Sequence, residues 1–146
     1  MTEFDIQKIL FHHFERLNSI SGIEYLKKDI ISGEYLNVHF PNVQFSVPED
    51  KRWFDLTFRN NEPVDAALGK GSQSRFTGVL YIDIYTPKDV GQDEAEAIYD
   101  WIAKLFNDAE LDYVDIMQVY VSTSGNDADS YRLQVAINWE ADIDKE

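Results

Sequence analysis

Residues 75–91 read RFTGVLYIDIYTPKDVG. Within this stretch Leu80, Ile82 and Ile84 alternate with Val79, Tyr81, Asp83 and Tyr85. A period of two marks a strand whose faces meet different surroundings, here one apolar face and one that mixes aromatic and charged groups. Pro87 has no amide hydrogen for a further ladder bond, and Gly91 tolerates a sharp turn, so the strand is expected to stop there. A helix is expected to follow over Asp93–Asn107, where Ala95, Ile98, Ile102, Leu105 and Phe106 recur at helical spacing. Asp93 suits its N-cap, and Glu94 and Glu96 sit where the helix dipole favours acids. Strand and helix together make one corner.

Upstream of that corner, Thr2–Ser19 is expected to be a helix with Ile6, Ile9, Leu10, Phe14 and Leu17 on its apolar stripe, Thr2 as N-cap and Gly22 as its end. Residues 23–36 fit neither period. Val43–Val47 alternates before Pro48, and Trp53–Arg59 alternates with Phe54, Leu56 and Phe58 on one face until Asn60–Pro63 breaks it. Residues 64–74, with Gly69 and Gly71, read as a long flexible loop. Downstream, Val114–Ser122 and Tyr131–Trp139 read as strands joined by a turn at Ser124–Asp127, and residues 142–146 as an acidic tail. The order is helix, three strands, helix, two strands. It predicts an α+β fold: a mixed or antiparallel sheet of about five strands with two main helices packed on one face.

The length, 146 residues, suits a single domain over 1–146, and 44% hydrophobic with 14% aromatic residues is enough for a packed core. No run approaches the ~18 apolar residues of a membrane span, and the acidic first residues lack the build of a signal peptide. The chain contains no cysteine, so disulfides and thiolate chemistry are absent, and folding in a reducing cytoplasm is expected. The formal net charge is −14, and Lys27–Lys28 and Lys51–Arg52 are the only paired basic positions. General nucleic-acid binding needs clustered cations, so it is not expected.

The residues that carry chemistry elsewhere are missing or wrongly spaced. Gly69-Lys70-Gly71-Ser72 resembles a fragment of a phosphate loop but lacks the upstream glycine and a leading strand. His12 and His13 are adjacent on the first helix and point about 100° apart, which suits surface or interface histidines better than a shared metal. Asp108, Glu110 and Asp112 lack the glycine and distal glutamate of a calcium loop. No catalytic residue, cofactor or metal is expected. Tyr81 and Tyr85 share a strand face with Asp83, and aromatic faces edged by charge are a common form of protein interface.

Arg75-x-x-Gly78, the alternating strand, Tyr85-Thr86-Pro87, Gly91 and the helix to Phe106 resemble the tail terminator-like family of tailed bacteriophages and prophages. Val38-His39-Phe40-Pro41-Asn42-Val43-Gln44-Phe45 is similar to that family's apolar-x-aromatic-Pro-Asn-x-x-Phe element. The resemblance spans roughly residues 7–141 and is most specific over 76–91. Thr86 and the acidic end depart from it.

The resemblance implies a non-catalytic virion protein, assembled in the host cytoplasm. It implies a ring, typically of six copies, that caps the tail tube, ends its polymerisation and offers a surface to head–tail connector or adaptor proteins. DNA would pass through the bore without sequence-specific binding, helped by an acidic lumen. Lys70, Arg75, Tyr81, Asp83, Tyr85, Pro87 and Gly91 are the expected interface residues, with the 64–74 loop reaching a neighbour or the tube end. A head-closure or head–tail adaptor protein is the alternative; a cytoplasmic ligand-binding domain or enzyme is a third.

Overall fold

The computed structural model describes residues 3–61, 64–65, 73–107, 109–127 and 129–144. In chain order the elements are α1 (Glu3–Phe14), α2 (Leu17–Ser21), β1 (Val38–His39), β2 (Trp53–Asn60), β3 (Val64–Asp65), β4 (Gln73–Pro87), α3 (Asp93–Asn107), β5 (Val114–Asp127) and β6 (Ser130–Asp144). The strands lie in the order β1-β2-β4-β6-β5, with β3 also paired to β4. Only β1 runs parallel to its neighbour, so the sheet is mixed and the α+β expectation holds.

The register shows why one face is buried. Leu80, Ile82 and Ile84 of β4 lie opposite Ile137, Val135 and Leu133 of β6 and opposite Phe58, Leu56 and Phe54 of β2. Paired residues point to the same face, so the three strands present one continuous apolar surface. The buried residues of the helices, Ile6, Leu10, Phe14 and Leu17 with Ala95, Ile98, Ile102, Leu105 and Phe106, join it in a single core. Each fully buried aliphatic side chain contributes about 1.5–3 kcal/mol of transfer free energy, so this contact dominates the stability.

Gly78 lies opposite Trp139, whose fully buried indole stacks on Phe58 at 5.4 Å between ring centroids with 6° between planes. A Cβ at Gly78 would collide with the Arg59 carbonyl oxygen and come within 2.5 Å of Trp139 Cζ2. The missing side chain is what lets the indole lie down on the strand. Arg75, three residues earlier, ties the same end of β4 to β6: its Nε is 2.7 Å from Glu140 Oε1 and 3.1 Å from Asp142 Oδ1.

Several expectations need correction. The first helix is not continuous to Ser19: at Arg16 the amide bonds to His13 O at 3.1 Å, a tightened turn, and a short second helix ends at Gly22 in the left-handed conformation. The break keeps both Phe14 and Leu17 fully buried. Val43–Val47 is not a strand; the edge strand is Val38–His39, and Phe45 is held by ring contacts with His39 and Trp53 instead of a backbone ladder. Both ends of the expected 64–74 loop are strand, since Val64 and Asp65 pair with Arg75 and Ser74. Residues 66–72, including Lys70, lie outside the described residues. The hairpin turn falls after Asp127, because Ser124–Asp127 pair with Ser130–Leu133 and Gln134 follows in register with Thr123. Asp142–Asp144 are no tail but the end of β6, paired with Gln73–Arg75.

Residues 22–37 owe their order to two side chains. Asn18 accepts from Leu26 N–H and donates to Leu26 O, at 2.8 and 2.7 Å. Asn37 likewise accepts from Lys27 N–H and donates to Tyr25 O, at 2.9 and 2.7 Å.

The geometry at residue 78 makes a direct prediction. Gly78→Ala should destabilise the fold by about 3 kcal/mol, the upper end of ordinary overpacking costs, because backbone as well as indole must move. Urea denaturation followed by tryptophan fluorescence measures it.

Candidate assembly face

The sheet face opposite the helices carries the residues that alternate with the core set. Tyr81, Asp83 and Tyr85 of β4 lie across from Thr57, Asp55 and Trp53 of β2 and from Ala136, Gln134 and Arg132 of β6. Trp53 and Tyr85 are stacked, with centroids 4.1 Å apart and 4° between planes. Phe45 packs on Trp53 at 5.1 Å, and His39 stacks on Phe45 at 5.1 Å. A row of four rings thus crosses from the β1 edge to the centre of the sheet, where Arg132 hydrogen-bonds the Tyr85 hydroxyl.

Acids sit between the rings. Asp55 and Asp83 are cross-strand partners, and both are pushed above the usual carboxylate range, chiefly by burial. For Asp83, a hydrogen bond from Gln134 and the charge of Arg132 oppose the shift, while the charge of Asp55 adds to it. For Asp55 the opposition comes from His39, whose Nδ1 is 3.1 Å from Asp55 Oδ1. The other ring nitrogen of His39 is 3.1 Å from Val43 O, so both nitrogens face acceptors. Asp83 Oδ1 is buried with no hydrogen-bond partner. Holding such a group costs stability unless something else occupies that face.

Of the expected interface residues, Tyr81, Asp83 and Tyr85 come together on this face. Pro87 and Gly91 mark its end: Pro87 is the last residue of β4, paired with Ser130, and Gly91 adopts φ 87° in the turn into α3. Arg75 lies at the far end of β4, engaged with Glu140 and Asp142 of its own chain. His39, Phe45, Trp53, Asp55 and Arg132 complete the surface and were not singled out from the sequence. Asp55 comes to lie across from Asp83, and Arg132 across from Tyr85, only through the strand pairing, which the period of one strand does not give.

Among the described residues no group of three or more His, Cys, Asp or Glu side chains gathers in a metal-ligating arrangement, and no helix is long and apolar enough to cross a membrane. His12 is exposed, as expected. His13 is not: it is buried, and its Nε2–H donates to Leu105 O at 2.6 Å. Burial lowers its pKa, against that hydrogen bond. It is a structural link between α1 and α3.

Because Asp83 holds its proton more tightly when folded than when unfolded, the folded state gains stability as pH falls through the folded value and loses it as pH rises. Asp83→Asn should therefore raise the melting temperature at pH 7, with the gain shrinking as the pH approaches the ordinary aspartate range. Thermal scans of both proteins from pH 7 down to pH 4 test this.

A family model described as phage tail terminator protein matches residues 22–139. No curated protein matches the chain. A solved protein chain whose name describes no function superimposes with a TM-score of 0.64 over 96% of this chain and 98% of its own, at 13% identity, which shows a shared fold. The match spans the β1 edge, the β4–α3 corner and all but the end of β6, and on it the chain belongs to the phage tail terminator protein family.

Proposed function

We propose that this phage tail protein closes into a ring of six copies on the end of the completed tail tube. The ring ends polymerisation and gives the head-side connector proteins a surface to join. The family match over residues 22–139 carries this reading. The architecture supports it physically. A ring needs two different surfaces on each copy, and a sheet covered by helices on one face only has them. The row Trp53–Tyr85 with Asp55, Asp83 and Arg132 suits contact with another subunit of the tail: it is flat, aromatic and edged by charge.

The charge supports passage of DNA. A chain of net charge −14 lines a bore with acids more readily than with cations, and phosphate is then repelled instead of held. Arg75, the basic residue of the expected interface set that is described, is already neutralised by Glu140 and Asp142.

Particles made without this protein should carry tails longer than the wild-type length distribution, and supplying the protein in trans should restore it. Electron microscopy of negatively stained particles reads the lengths. Tails of normal length that fail to join heads would contradict the terminator reading and favour an adaptor.

A further inference from the structure

Residues 41–50 run from β1 to β2 without joining any strand. Both ends of this strap are fixed. Phe40 packs on Phe11 of α1 and on Tyr35, at 5.4 and 6.3 Å between ring centroids. At the other end Arg52 grips Glu94 of α3 through two hydrogen bonds, and Lys51 N–H donates to Pro48 O at 3.1 Å. Asn42 and Lys51 take φ of 59° and 60°, left-handed values that residues other than glycine adopt sparingly, so a bend sits at each end. Between the bends Val43 and Val47 are exposed.

Ring contacts and one hydrogen-bond contact hold the middle of the strap down. Phe45 lies between His39 and Trp53, and His39 Nε2 is 3.1 Å from Val43 O. On its other side His39 Nδ1 is 3.1 Å from Asp55 Oδ1. A carbonyl oxygen and an ionised carboxylate only accept, whereas a neutral imidazole has one N–H and one lone pair. Both contacts are hydrogen bonds at once only if the His39–Asp55 pair carries one proton beyond the neutral ring and the ionised acid. That proton sits on His39 as imidazolium or on Asp55 as O–H. Burial, which pushes Asp55 above the usual carboxylate range against the charge and hydrogen bond of His39, favours keeping it. Without it, one ring nitrogen turns its lone pair on an acceptor. The bond to the ionised carboxylate is the stronger of the two, so the ring keeps Asp55 and gives up Val43 O.

The charged and titratable groups around the pair come from three elements. Asp83 of β4 lies across from Asp55, and Arg132 of β6 puts its charge on Asp55 and bonds the Tyr85 hydroxyl. On the strap, Glu49 is exposed and Asp50 is 3.7 Å from Lys27.

We infer that residues 41–50 are a proton-dependent strap: a proton on the His39–Asp55 pair latches Val43 and Phe45 beside the Trp53–Tyr85 stack, and its loss releases them. The latched state binds one proton more than the released state, so the strap closes as pH falls and opens as pH rises. Opening bares the Trp53 end of the ring row. The device is complete within one copy and holds whether or not copies close into a ring.

Nuclear magnetic resonance of the full chain from pH 5 to pH 9 tests this, a span that includes the range in which histidine ordinarily changes charge. Cross-relaxation between the Phe45 ring and the Trp53 indole should be present at pH 5 and lost at pH 9. The loss should follow the departure of one proton, read from the His39 ring nitrogens and the Asp55 carboxyl carbon. Asp55→Asn should keep the ring contact across the whole range. Its side-chain amide donates to Nδ1, which leaves neutral His39 with Nε2–H to give to Val43 O. A wild-type Phe45–Trp53 contact that does not change with pH would overturn the inference. So would a strap that opens with no proton leaving the pair, or an Asp55→Asn protein that opens over the same pH range as the wild type.

Discussion

The fifteen-residue antiparallel register between β4 and β6 is the constraint on which the rest of the structure depends. It aligns Leu80, Ile82 and Ile84 with Ile137, Val135 and Leu133, and it places Gly78 beneath Trp139. A slip of β6 by one residue would send Leu133, Val135 and Ile137 to the opposite face and take Trp139 off Gly78. The helices then have one surface to cover and no choice about which. The glycine belongs to this constraint through close packing and not through an unusual backbone angle.

From that register follows the division of the molecule into two faces of different character. The covered face is apolar and closed. The other holds a stacked Trp53–Tyr85 pair beside two carboxylates, Asp55 and Asp83, that burial has pushed toward their protonated forms. A single copy optimised for its own stability would place neither acid there. His39 offsets part of the cost at Asp55, and Gln134 and Arg132 part of it at Asp83, while Asp83 Oδ1 is left without a partner within the chain. The β4–α3 corner, turned at Asp89 and Gly91 with positive φ, carries the chain from the sheet into the helix that covers its apolar face.

Much of this was legible in the residues because periodicity survives wherever a face is buried. The α3 boundaries, the β2 alternation and the β4 alternation all fall where the spacing of apolar residues puts them. The failures have physical causes. Val43–Val47 alternates as a strand does, but its Phe45 is held by rings, which leave no mark in the spacing. Residues 23–36 showed no period because their order comes from the side-chain amides of Asn18 and Asn37 bonding distant backbone. The turn residues Ser124-Gly125-Asn126-Asp127 lie within β5, since the long pairing with β6 outweighs their local preference. Of the open face, the sequence showed Tyr81, Asp83 and Tyr85 as a set; Asp55, Trp53 and Arg132 join them only through cross-strand pairing.

The central claim is that one two-faced subunit, held rigid by the β4–β6 register, closes around an axis at the end of a tail. Averaged electron cryomicroscopy of the head-proximal tail end tests it most directly. The account predicts a closed circle of identical copies of this chain, each with its β4–α3 corner in the same relation to its neighbours. A single copy, an open arc, or a position away from that end would contradict it.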